Sequence, residues 1–453
     1  MKDLSREKNQ KPPTSPSVGE AKGFHAATHC ERQEQCRSTP GPGKEPAAIA
    51  VSRMKNPVAR RKTVLLAMSG GVDSTAAAAI LRDQGYEVIG VTMLLWRDQD
   101  EAEVQAALKN KSEDLARRLG LEHYCLDLSA EFYQAVVEPF MAAYRQGETP
   151  NPCVLCNRKF KFDLLLRRAA AHYCAVRGLS WQDGDPLPFD FIATGHYARV
   201  KFDEKKQEYQ LLRALDQKKD QSYVLYSLGQ ELLAKLILPL GELSKEDARA
   251  IAAAAGTPIP KEEESQDICF ISHSYRELLE AHGGFGRPGY FVDHEGQRLA
   301  PHEGIGRFTL GQRKGLGHAF GRRVSVIDIN PENGNVEIGE ESALYFTEIE
   351  LNELRFNTRE QPQLPLHVEV ATRYQQPPRP AMLLPLEPEV DNKSAVTLAA
   401  KPESVPAKVT KDSSGRRALL HFEEPQRASC PGQAAVFYQG ERVIGGGSIV
   451  RKK

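Results

Sequence analysis

A short segment at residues 67–74, AMSGGVDS, joins an apolar run to an alanine-rich stretch. A loop that leaves a parallel strand and enters a helix presents free backbone N–H groups and the positive end of the helix dipole, so it binds anions. Gly70 and Gly71 let the backbone come close to such an anion, and the two serines add hydroxyl donors. Asp73 is placed to help hold a metal ion bound to phosphate. The segment therefore predicts a phosphate-binding loop.

Two common nucleotide-binding loops are excluded, because the segment contains neither G-x-x-x-x-G-K-[ST] nor G-x-G-x-x-G. It instead resembles the pyrophosphate-binding loop of the PP-loop ATP pyrophosphatases, which adenylate a substrate and release pyrophosphate. The resemblance implies ATP and Mg²⁺ as cofactors, with the adenine beside the second strand and a later ATGH turn beside the ribose or phosphates. The implied ATP-binding residues are Ala67, Met68, Ser69, Gly70, Gly71, Val72, Asp73, Ser74, Met93 and Gly195.

Three of the eight cysteines stand in settings that suit thiol chemistry. Cys153 and Cys156 lie in TPNPCVLCNRKFKF, which predicts a Pro-rich loop at a helix N-terminus, where the helix dipole lowers the pKa of a thiol. Cys269 follows the polar run EESQD. Without a secretion signal, the thiols are expected to be reduced. The other cysteines outside the N-terminal tail are predicted to be small buried side chains: Cys125, Cys174 and Cys430.

These motifs are positioned by an alternation of strands and helices that starts at Lys62. Apolar runs predict strands over residues 63–68, 87–95, 123–128 and 189–194. The pattern predicts helices over residues 74–84, 112–119, 131–145, 157–174 and 243–255. Ser244 and Asp247 predict the N-terminal cap of the last helix. Strands separated by helices indicate an α/β fold with a doubly wound parallel sheet.

The composition divides the chain into four parts. Residues 1–60 are rich in Pro, Lys, Glu, Gln and Ser, which predicts a disordered N-terminal extension. The PP-loop domain is expected at residues 61–273. Short strands separated by Gly, Asn and Pro turns then predict a small β-rich central domain at 274–346 and a C-terminal β domain at 347–453, with a flexible insertion near 387–415.

Composition and charge limit the function classes. No uninterrupted apolar stretch approaches about 20 residues, so we expect no membrane span and predict a cytoplasmic protein. Residues 1–62 contain 13 Lys/Arg and 6 Asp/Glu, whereas the whole chain has a net charge of zero. The body is therefore mildly acidic, which by itself does not indicate nucleic-acid binding. An organellar targeting peptide in the tail stays an alternative, although the six acidic residues there fit it poorly.

Further motifs extend the resemblance from about Lys62 to the C-terminus. They read TPNPC..C, ATGHY, KDQSY, ICF, TLGQRKGLG, TRYQQ and PGQAAVFY. On these residues the chain resembles the tRNA-specific 2-thiouridylases, which replace the 2-oxygen of the wobble uridine with sulfur. The resemblance implies a C-terminal β-barrel and ATP-dependent adenylation of that oxygen. It also implies two partners, the anticodon loop of tRNA and a protein that delivers persulfide sulfur, and we expect the enzyme to act as a monomer.

The same resemblance assigns roles to individual residues. Cys269 would carry the incoming persulfide sulfur, and Cys156 would attack to release sulfide or close a disulfide after transfer. Because these thiols are more than a hundred residues apart, we expect a mobile loop around Cys269 to bring them together. Of the implied tRNA contacts, an arginine offers a phosphate donor and a tyrosine a stacking face. These contacts are Asn151, Pro152, Cys153, Lys219, Asp220, Gln221, Arg373 and Tyr374.

One departure from the family pattern opens a further alternative. Many members have Asp where this chain has Cys153, and a thiol does not inherit the base-contact or acid–base role of that Asp. Three thiolates at Cys153, Cys156 and Cys269, with one open position, would suit a labile [4Fe–4S] cluster or, less readily, zinc. Two rival functions are a PP-loop ligase or amidotransferase that acts on a small molecule, and a non-catalytic RNA-binding module whose thiols hold a structural metal.

Overall fold

The computed structural model describes residues 60–98, 101–256, 268–386 and 416–451. The predicted N-terminal extension, apart from Arg60, and the predicted insertion at 387–415 lie outside the described residues. In the described part of the chain, no helix is long and apolar enough to cross a membrane.

Seven strands belong to the first domain: β1 Thr63–Ala67, β2 Glu87–Leu94, β3 Glu122–Asp127, β4 Phe191–Thr194, β5 Ala198–Asp203, β6 Glu208–Arg213 and β7 Leu236–Ile237. Five of them form a sheet with the order β3-β2-β1-β4-β7. All four pairs of neighbouring strands are parallel, which confirms the predicted doubly wound α/β fold. The strand order reverses between β1 and β4, and in such sheets the crevice outside the carboxyl ends at this point binds ligands.

The α-helices are α1 Val72–Asp83, α2 Glu101–Leu119, α3 Ser129–Phe132, α4 Glu138–Arg145, α5 Pro152–Leu155, α6 Leu165–Ala175, α7 Gln230–Leu233, α8 Lys245–Ala254 and α9 Tyr275–Ala281. The chain is π-helical between α3 and α4, over Tyr133–Val137, and between α5 and α6, over Cys156–Leu164. Helices cover both faces of the sheet. Val64 and Leu66 of β1 pack in one apolar cluster with α1 and α2, whereas Leu65 belongs to a second cluster with the π-helical segments.

Helix α2 begins at Glu101, 11 residues before the predicted start at 112. Its buried residues, among them Leu115 and Leu119, all lie in the predicted half. The first half buries no residue and is rich in charge, so its sequence carries no apolar period from which a helix could be predicted.

The helix predicted at 157–174 also begins earlier, at Pro152. Asn151 is its N-cap, and Pro152 occupies the first helical position, which tolerates a residue without an N–H group. Cys153 and Cys156 therefore lie inside the helix, and the prediction that they stand on a loop was wrong. The cap predicted for the last helix is confirmed, because Ser244 and Asp247 form both bonds of a capping box at α8.

The central sheet has the order β10-β11-β8-β9 and consists of β8 Gly289–Val292, β9 Arg298–His302, β10 Ser325–Ile329 and β11 Val336–Gly339. Its core is aromatic. Phe291 is fully buried and meets Phe308 and Phe320 edge-to-face, at ring-centroid distances of 4.9 and 5.3 Å.

The last six strands close into a β-barrel, which confirms that prediction. They are β12 Tyr345–Phe356, β13 Leu366–Ala371, β14 Arg379–Pro385, β15 Ala418–Arg427, β16 Ala434–Gln439 and β17 Arg442–Ile449. Their order is β12-β15-β14-β13-β16-β17, and β17 pairs back to β12. Strand β17 also pairs with β6 through Arg442 and Val443. The hairpin β5–β6 therefore joins the barrel directly to the PP-loop domain, a connection that the sequence did not indicate.

Candidate active site

The predicted phosphate loop lies where β1 ends and α1 begins. Gly70 adopts a φ of +67°, a left-handed conformation that favours glycine, and Gly71 precedes the first turn of α1. The hydroxyl of Ser74 accepts from the backbone N–H of Ser69 at 3.3 Å and donates to the carbonyl of Gly71 at 3.0 Å. No side chain of the described residues caps the start of α1. The first N–H groups of this helix are thus available to an anion in the cleft.

The two methionines of the predicted ATP site occupy different positions. Met68 is buried. Its backbone N–H donates to the carbonyl of Val91 at 2.8 Å, and its carbonyl accepts from the hydroxyl of Thr92 at 3.0 Å. A Cβ on Gly90 would lie 2.4 Å from the sulfur of Met68, so this side chain fills the space beneath the loop. Met93 is half-buried near the carboxyl end of β2, where its contact with adenine stays a prediction.

Asp73 has two partners that the sequence analysis missed. Its Oδ1 accepts from Lys245 Nζ and from the Tyr197 hydroxyl, each at 2.7 Å. Lys245 is only 4% exposed, so this ion pair is largely shielded from solvent. The pair holds the start of α1 against α8. No motif points to Lys245, which follows Asp73 by 172 residues.

The ATGH turn packs directly on the phosphate loop. A Cβ at Gly195 would lie 3.1 Å from the carbonyl carbon of Asp73 and 3.2 Å from the nitrogen of Ser74. Only glycine allows this approach without displacing backbone. His196, the next residue, is buried, and burial together with the nearby Lys161 ammonium holds its pKa well below the usual value. This histidine is therefore neutral.

Cys269 lies at the carboxyl edge of the same sheet. The carboxylate of Asp98, which follows β2, accepts from the Ser272 N–H at 3.1 Å and from the Ser272 hydroxyl at 2.6 Å. The backbone N–H of Asp98 donates to the carbonyl of Phe270. Phe270 is buried, with its ring edge-to-face against Phe132 and Phe140. Cys269 immediately precedes these two anchoring residues and is exposed. Residues 257–267 lie outside the described residues, so the mobile loop expected there stays a prediction.

Cys153 and Cys156 lie on the helix that starts with α5. The side chain of Asn151 accepts from the N–H groups of Cys153 at 3.1 Å and Val154 at 3.4 Å, so Asn151 shapes this helix end. Pro152 is buried beside it. Cys153 is exposed, whereas Cys156 is buried within the main hydrophobic cluster.

The pKa of each of these three thiols is raised, so the prediction of dipole-lowered values was wrong. Although Cys153 and Cys269 reach solvent, the surrounding protein desolvates them and raises the pKa of both thiols. Burial raises the pKa of the Cys156 thiol to about 12. Lys161 opposes this effect at all three cysteines, and Cys269 in turn influences the other two. The thiols therefore share one electrostatic neighbourhood, where desolvation outweighs the attraction of the Lys161 ammonium.

The arrangement of the described residues does not fit a metal centre as it stands. Among them, no group of three His, Cys, Asp or Glu side chains is spaced to hold a metal ion. Cys153, Cys156 and Cys269 are therefore not gathered into a ligand set among the described residues. We derive no chemical step through a cluster.

The KDQSY turn is held mainly by internal hydrogen bonds. The carboxylate of Asp220 accepts from Arg213 Nε at 3.2 Å, from the N–H of Ala214 at 3.0 Å, and from both the N–H and the hydroxyl of Ser222. Gln221 accepts from the N–H of Tyr197 at 3.0 Å, and Lys219 is half-buried. The structure thus gives Asp220 a fold-holding position, and the direct tRNA contact that the resemblance implied stays a prediction.

The TRY segment of the barrel faces this turn across a groove. Tyr374 is 38% exposed and lies 5.9 Å from the ring of Tyr223, and Arg373 donates to the Ala428 carbonyl at 2.6 Å. Cys153 also influences the pKa of Tyr374, which burial raises. The groove has a volume of about 470 Å³. Its lining residues include Arg213, Lys218, Asp220, Tyr223, Arg373 and Gln375.

Replacing Asp220 with alanine is expected to lower the free energy of unfolding by about 2–4 kcal/mol, because it leaves two N–H groups and a half-buried guanidinium without their acceptor. The side chain of Asp220 is only 8% exposed. Asp216→Ala is the matched control, since Asp216 accepts one exposed bond, from the Lys218 N–H. Urea unfolding measures both. A fully stable Asp220→Ala variant with weakened tRNA binding would instead support the direct contact.

Three families match successive parts of the chain. The family described as "tRNA methyl transferase HUP domain" matches residues 62–273, "tRNA methyl transferase PRC-barrel domain" matches 276–340, and "Aminomethyltransferase beta-barrel domain" matches 387–449. Among solved structures, the U34-tRNA thiolase NcsA from Methanococcus maripaludis with its [4Fe-4S] cluster is 16% identical and covers 49% of this chain and 64% of its own. Its TM-score of 0.25 is too low to bear on the fold or the site.

Full-length relatives are much closer. The tRNA-specific 2-thiouridylase MnmA of Desulforamulus reducens is 40% identical over 402 residues, which cover 86% of this chain and 98% of that protein. Proteins of the same name from Carboxydothermus hydrogenoformans and Nostoc punctiforme are each 38% identical, cover 86% of this chain, and are themselves covered to 98% and 99%. The chain belongs to the tRNA-specific 2-thiouridylase family.

Proposed function

We propose that this chain, as a member of an enzyme family that transfers sulfur to tRNA uridine, adenylates the 2-oxygen of the wobble uridine and replaces it with sulfur carried by Cys269. The observation that carries the proposal is the placement of Cys269. Asp98 binds its segment at the carboxyl end of β2, and the neighbouring strand β1 ends in the phosphate loop. A flipped-out uridine between them would meet both the nucleotide and the thiol.

ATP fits the donors of the phosphate loop. The N–H groups of the first turn of α1 are hydrogen-bond donors suited to phosphate oxygens, and the hydroxyls of Ser69 and Ser74 hold the loop through their bonds to each other and to the Gly71 carbonyl. Magnesium, when bound with ATP, would neutralise phosphate charge during adenylation. Asp73 is already bound to Lys245 and Tyr197, so we assign it the role of orienting the loop. This role differs from the metal contact that its position in the motif predicts.

The chemistry divides into activation and exchange. The uridine 2-oxygen attacks the α-phosphorus of ATP, pyrophosphate leaves, and the oxygen becomes part of an AMP leaving group. The terminal sulfur of a Cys269 persulfide then bonds to C2, and AMP departs. A second thiolate attacks the Cys269 sulfur, so that an intramolecular disulfide forms and the 2-thio group keeps the electron pair. An external dithiol must then reduce the disulfide before the next turnover.

The second thiolate is assigned to Cys156 by the family pattern. Its burial and raised pKa mean that it is protonated at neutral pH and must lose a proton first. Cys153, which is exposed three residues earlier on the same helix, is a second candidate for this attack. Mapping the disulfide formed after one turnover distinguishes the two.

The groove between the KDQSY turn and the barrel is proposed to hold the anticodon loop. Tyr374→Ala is expected to raise the KM for tRNA by about tenfold, because stacking of one base on an aromatic ring contributes about 1–3 kcal/mol. Tyr345→Ala is the matched control, since Tyr345 is 48% exposed on the same barrel away from the groove, whereas Tyr374 stands between two residues that line it, Arg373 and Gln375. Equal KM values for tRNA in the two variants would show that Tyr374 does not contact the RNA. Affinity should also fall steeply with salt.

The remaining expectations are proposals of the same kind. They comprise a sulfur-donor protein that loads Cys269 with persulfide, a monomeric enzyme, and action in the cytoplasm. A [4Fe–4S] cluster on Cys153, Cys156 and Cys269 is the alternative sulfur chemistry. Anaerobic purification followed by iron and acid-labile sulfide analysis tests it, and an active, iron-free protein would exclude it.

One experiment tests the function itself. Purified full-length protein is incubated with tRNA, ATP, magnesium and a sulfide source, and the tRNA is digested for mass analysis. The proposal expects a gain of sulfur for oxygen at the wobble uridine that depends on ATP. An unmodified tRNA with continued ATP turnover would favour a small-molecule ligase or amidotransferase. Absence of both reactions, with unfolding on metal removal, would favour a structural RNA-binding module.

A further inference from the structure

The connection between β15 and β16, residues 428–433, lies against the segment that leads into the helix starting with α5. The backbone N–H of Thr149 donates to the carbonyl of Pro431 at 2.8 Å, and the side-chain amide of Gln433 donates to the carbonyl of Thr149 at 2.6 Å. Both backbone polar groups of Thr149 are therefore bound by the barrel. Asn151, the N-cap of the helix, follows closely in the chain.

Gly432 brings the two segments into direct contact. It adopts a φ of +87°, and a Cβ there would lie 3.3 Å from Glu148 Cβ and 3.4 Å from Pro150 Cα. Because interiors are close-packed, a side chain at this position would push on residues 148–150. The barrel thus holds the start of the helix through backbone packing as well as through hydrogen bonds.

The same connection is bound at both ends by residues of the groove between the KDQSY turn and the barrel. Arg373 donates to the carbonyl of Ala428 at 2.6 Å, where the connection begins. The hydroxyl of Tyr223 donates to the carbonyl of Ala434 at 2.7 Å, where β16 begins. Arg373 and Tyr223 both line the groove. The β15–β16 connection therefore reaches from the proposed RNA groove to the start of the helix.

We propose that Gln433 is a positioning residue for sulfur transfer, which holds the helix of Cys153 and Cys156 in place relative to the RNA groove. The inference rests on the proposed function, in which the groove holds the anticodon loop and a thiol of this helix attacks the Cys269 sulfur. That attack forms a sulfur–sulfur bond, so it requires a close approach in a defined geometry. Gln433 acts on this step through its bond to Thr149.

Hydrogen exchange of the full-length protein, without tRNA or ATP, measures the contact itself. Gln433→Met keeps the length of the side chain and removes the donor. Amides of residues 148–157 should exchange about tenfold faster in this variant, because loss of a hydrogen bond makes local opening easier. Gln426→Met is the matched control, since Gln426 is also half-buried but donates within its own strand, to the Glu424 carbonyl at 2.9 Å. It should leave exchange at 148–157 unchanged.

A pair of glycine variants tests the same contact through packing. Gly432→Ala should also speed exchange at 148–157, because its Cβ presses on residues 148–150. Gly440→Ala is the matched control, since Gly440 has a φ of +60° on the same barrel and strains an alanine in the same way. A Cβ at Gly440 would meet no described atom within 4 Å. This control should leave exchange at 148–157 as in the wild type.

Single-turnover activity separates positioning from general stability. In Gln433→Met, sulfur transfer to tRNA should slow about tenfold, because a misplaced helix impairs the thiol attack. Pyrophosphate release should stay within about twofold of the wild type, since adenylation precedes that attack. A variant that is only less stable would lose both reactions in parallel. Such parallel losses would overturn the proposal, and so would unchanged exchange at 148–157 in Gln433→Met.

Failure of this inference is distinguishable from failure of the proposed function. Faster exchange at 148–157 together with wild-type sulfur transfer would keep the function and overturn the positioning role of Gln433. A wild-type protein that thiolates no tRNA would refute the function and overturn the positioning role with it, although exchange would still measure the contact between the barrel and the helix.

Discussion

Replacing Cys269 with serine is expected to lower tRNA thiolation by about a thousandfold or more, because a hydroxyl cannot carry a persulfide. The side chain is exposed, so serine changes no packing. Its neighbours Phe270 and Ser272 keep the segment on the domain in the variant. Mass analysis of 2-thiouridine in tRNA measures the loss. Pyrophosphate release should persist for the first turnover, because adenylation needs only the nucleotide and the uridine oxygen.

Cys125→Ser provides the matched control for this experiment. Cys125 is half-buried in β3 and lies 3.8 Å from the hydroxyl of Ser112, outside the sulfur site. We expect this variant to retain thiolation within about twofold. Wild-type thiolation by Cys269→Ser would contradict the persulfide role. An equal loss in both variants would show that general thiol removal, and not this site, causes the defect.

Replacing Gly195 with alanine is expected to lower ATP-dependent pyrophosphate release by about tenfold, and valine by about a hundredfold. The new Cβ would lie 3.1 Å from the Asp73 carbonyl carbon and 3.2 Å from the Ser74 nitrogen. Because both atoms belong to the backbone, the phosphate loop must move to relieve the contact. A displacement of the loop shifts the α-phosphorus relative to the attacking oxygen. Pyrophosphate release at saturating tRNA and ATP measures the effect.

Gly229→Ala is the control for backbone substitution. Gly229 precedes α7 with a φ of −81°, and a Cβ there would meet no described atom within 4 Å. The variant should release pyrophosphate at the wild-type rate. If Gly195→Ala behaves in the same way, the ATGH turn does not position the phosphate loop.

The strands and the phosphate loop were predictable from local sequence. Apolar runs such as residues 63–68 are typical of buried parallel strands. A glycine pair between a strand and a helix is typical of an anion-binding loop. The first half of α2 was not predictable, because it buries no residue. The start of α5 was misjudged, since TPNP was interpreted as a loop although Asn151 and Pro152 are a cap and a first helical residue.

The chemistry of the site was only partly predictable. The motifs and the family resemblance marked three candidate cysteines, but they could not give the environment of these thiols. A helix N-terminus favours the thiolate, whereas desolvation by the surrounding protein raises the pKa of all three thiols. Asp220 similarly matched a family segment on sequence, yet its four hydrogen bonds are to its own fold.

The sequence by itself determined the fold class and the position of the glycine loop between β1 and α1, because both depend on residues close together along the chain, and its motifs marked three candidate reactive cysteines. Only the tertiary structure decided which groups meet them. Lys245 reaches Asp73 across 172 residues, and the barrel joins the first domain through β6 and β17. The tertiary structure also decided how far the thiols are desolvated, since desolvation depends on every element packed around a group and not on its neighbours in sequence.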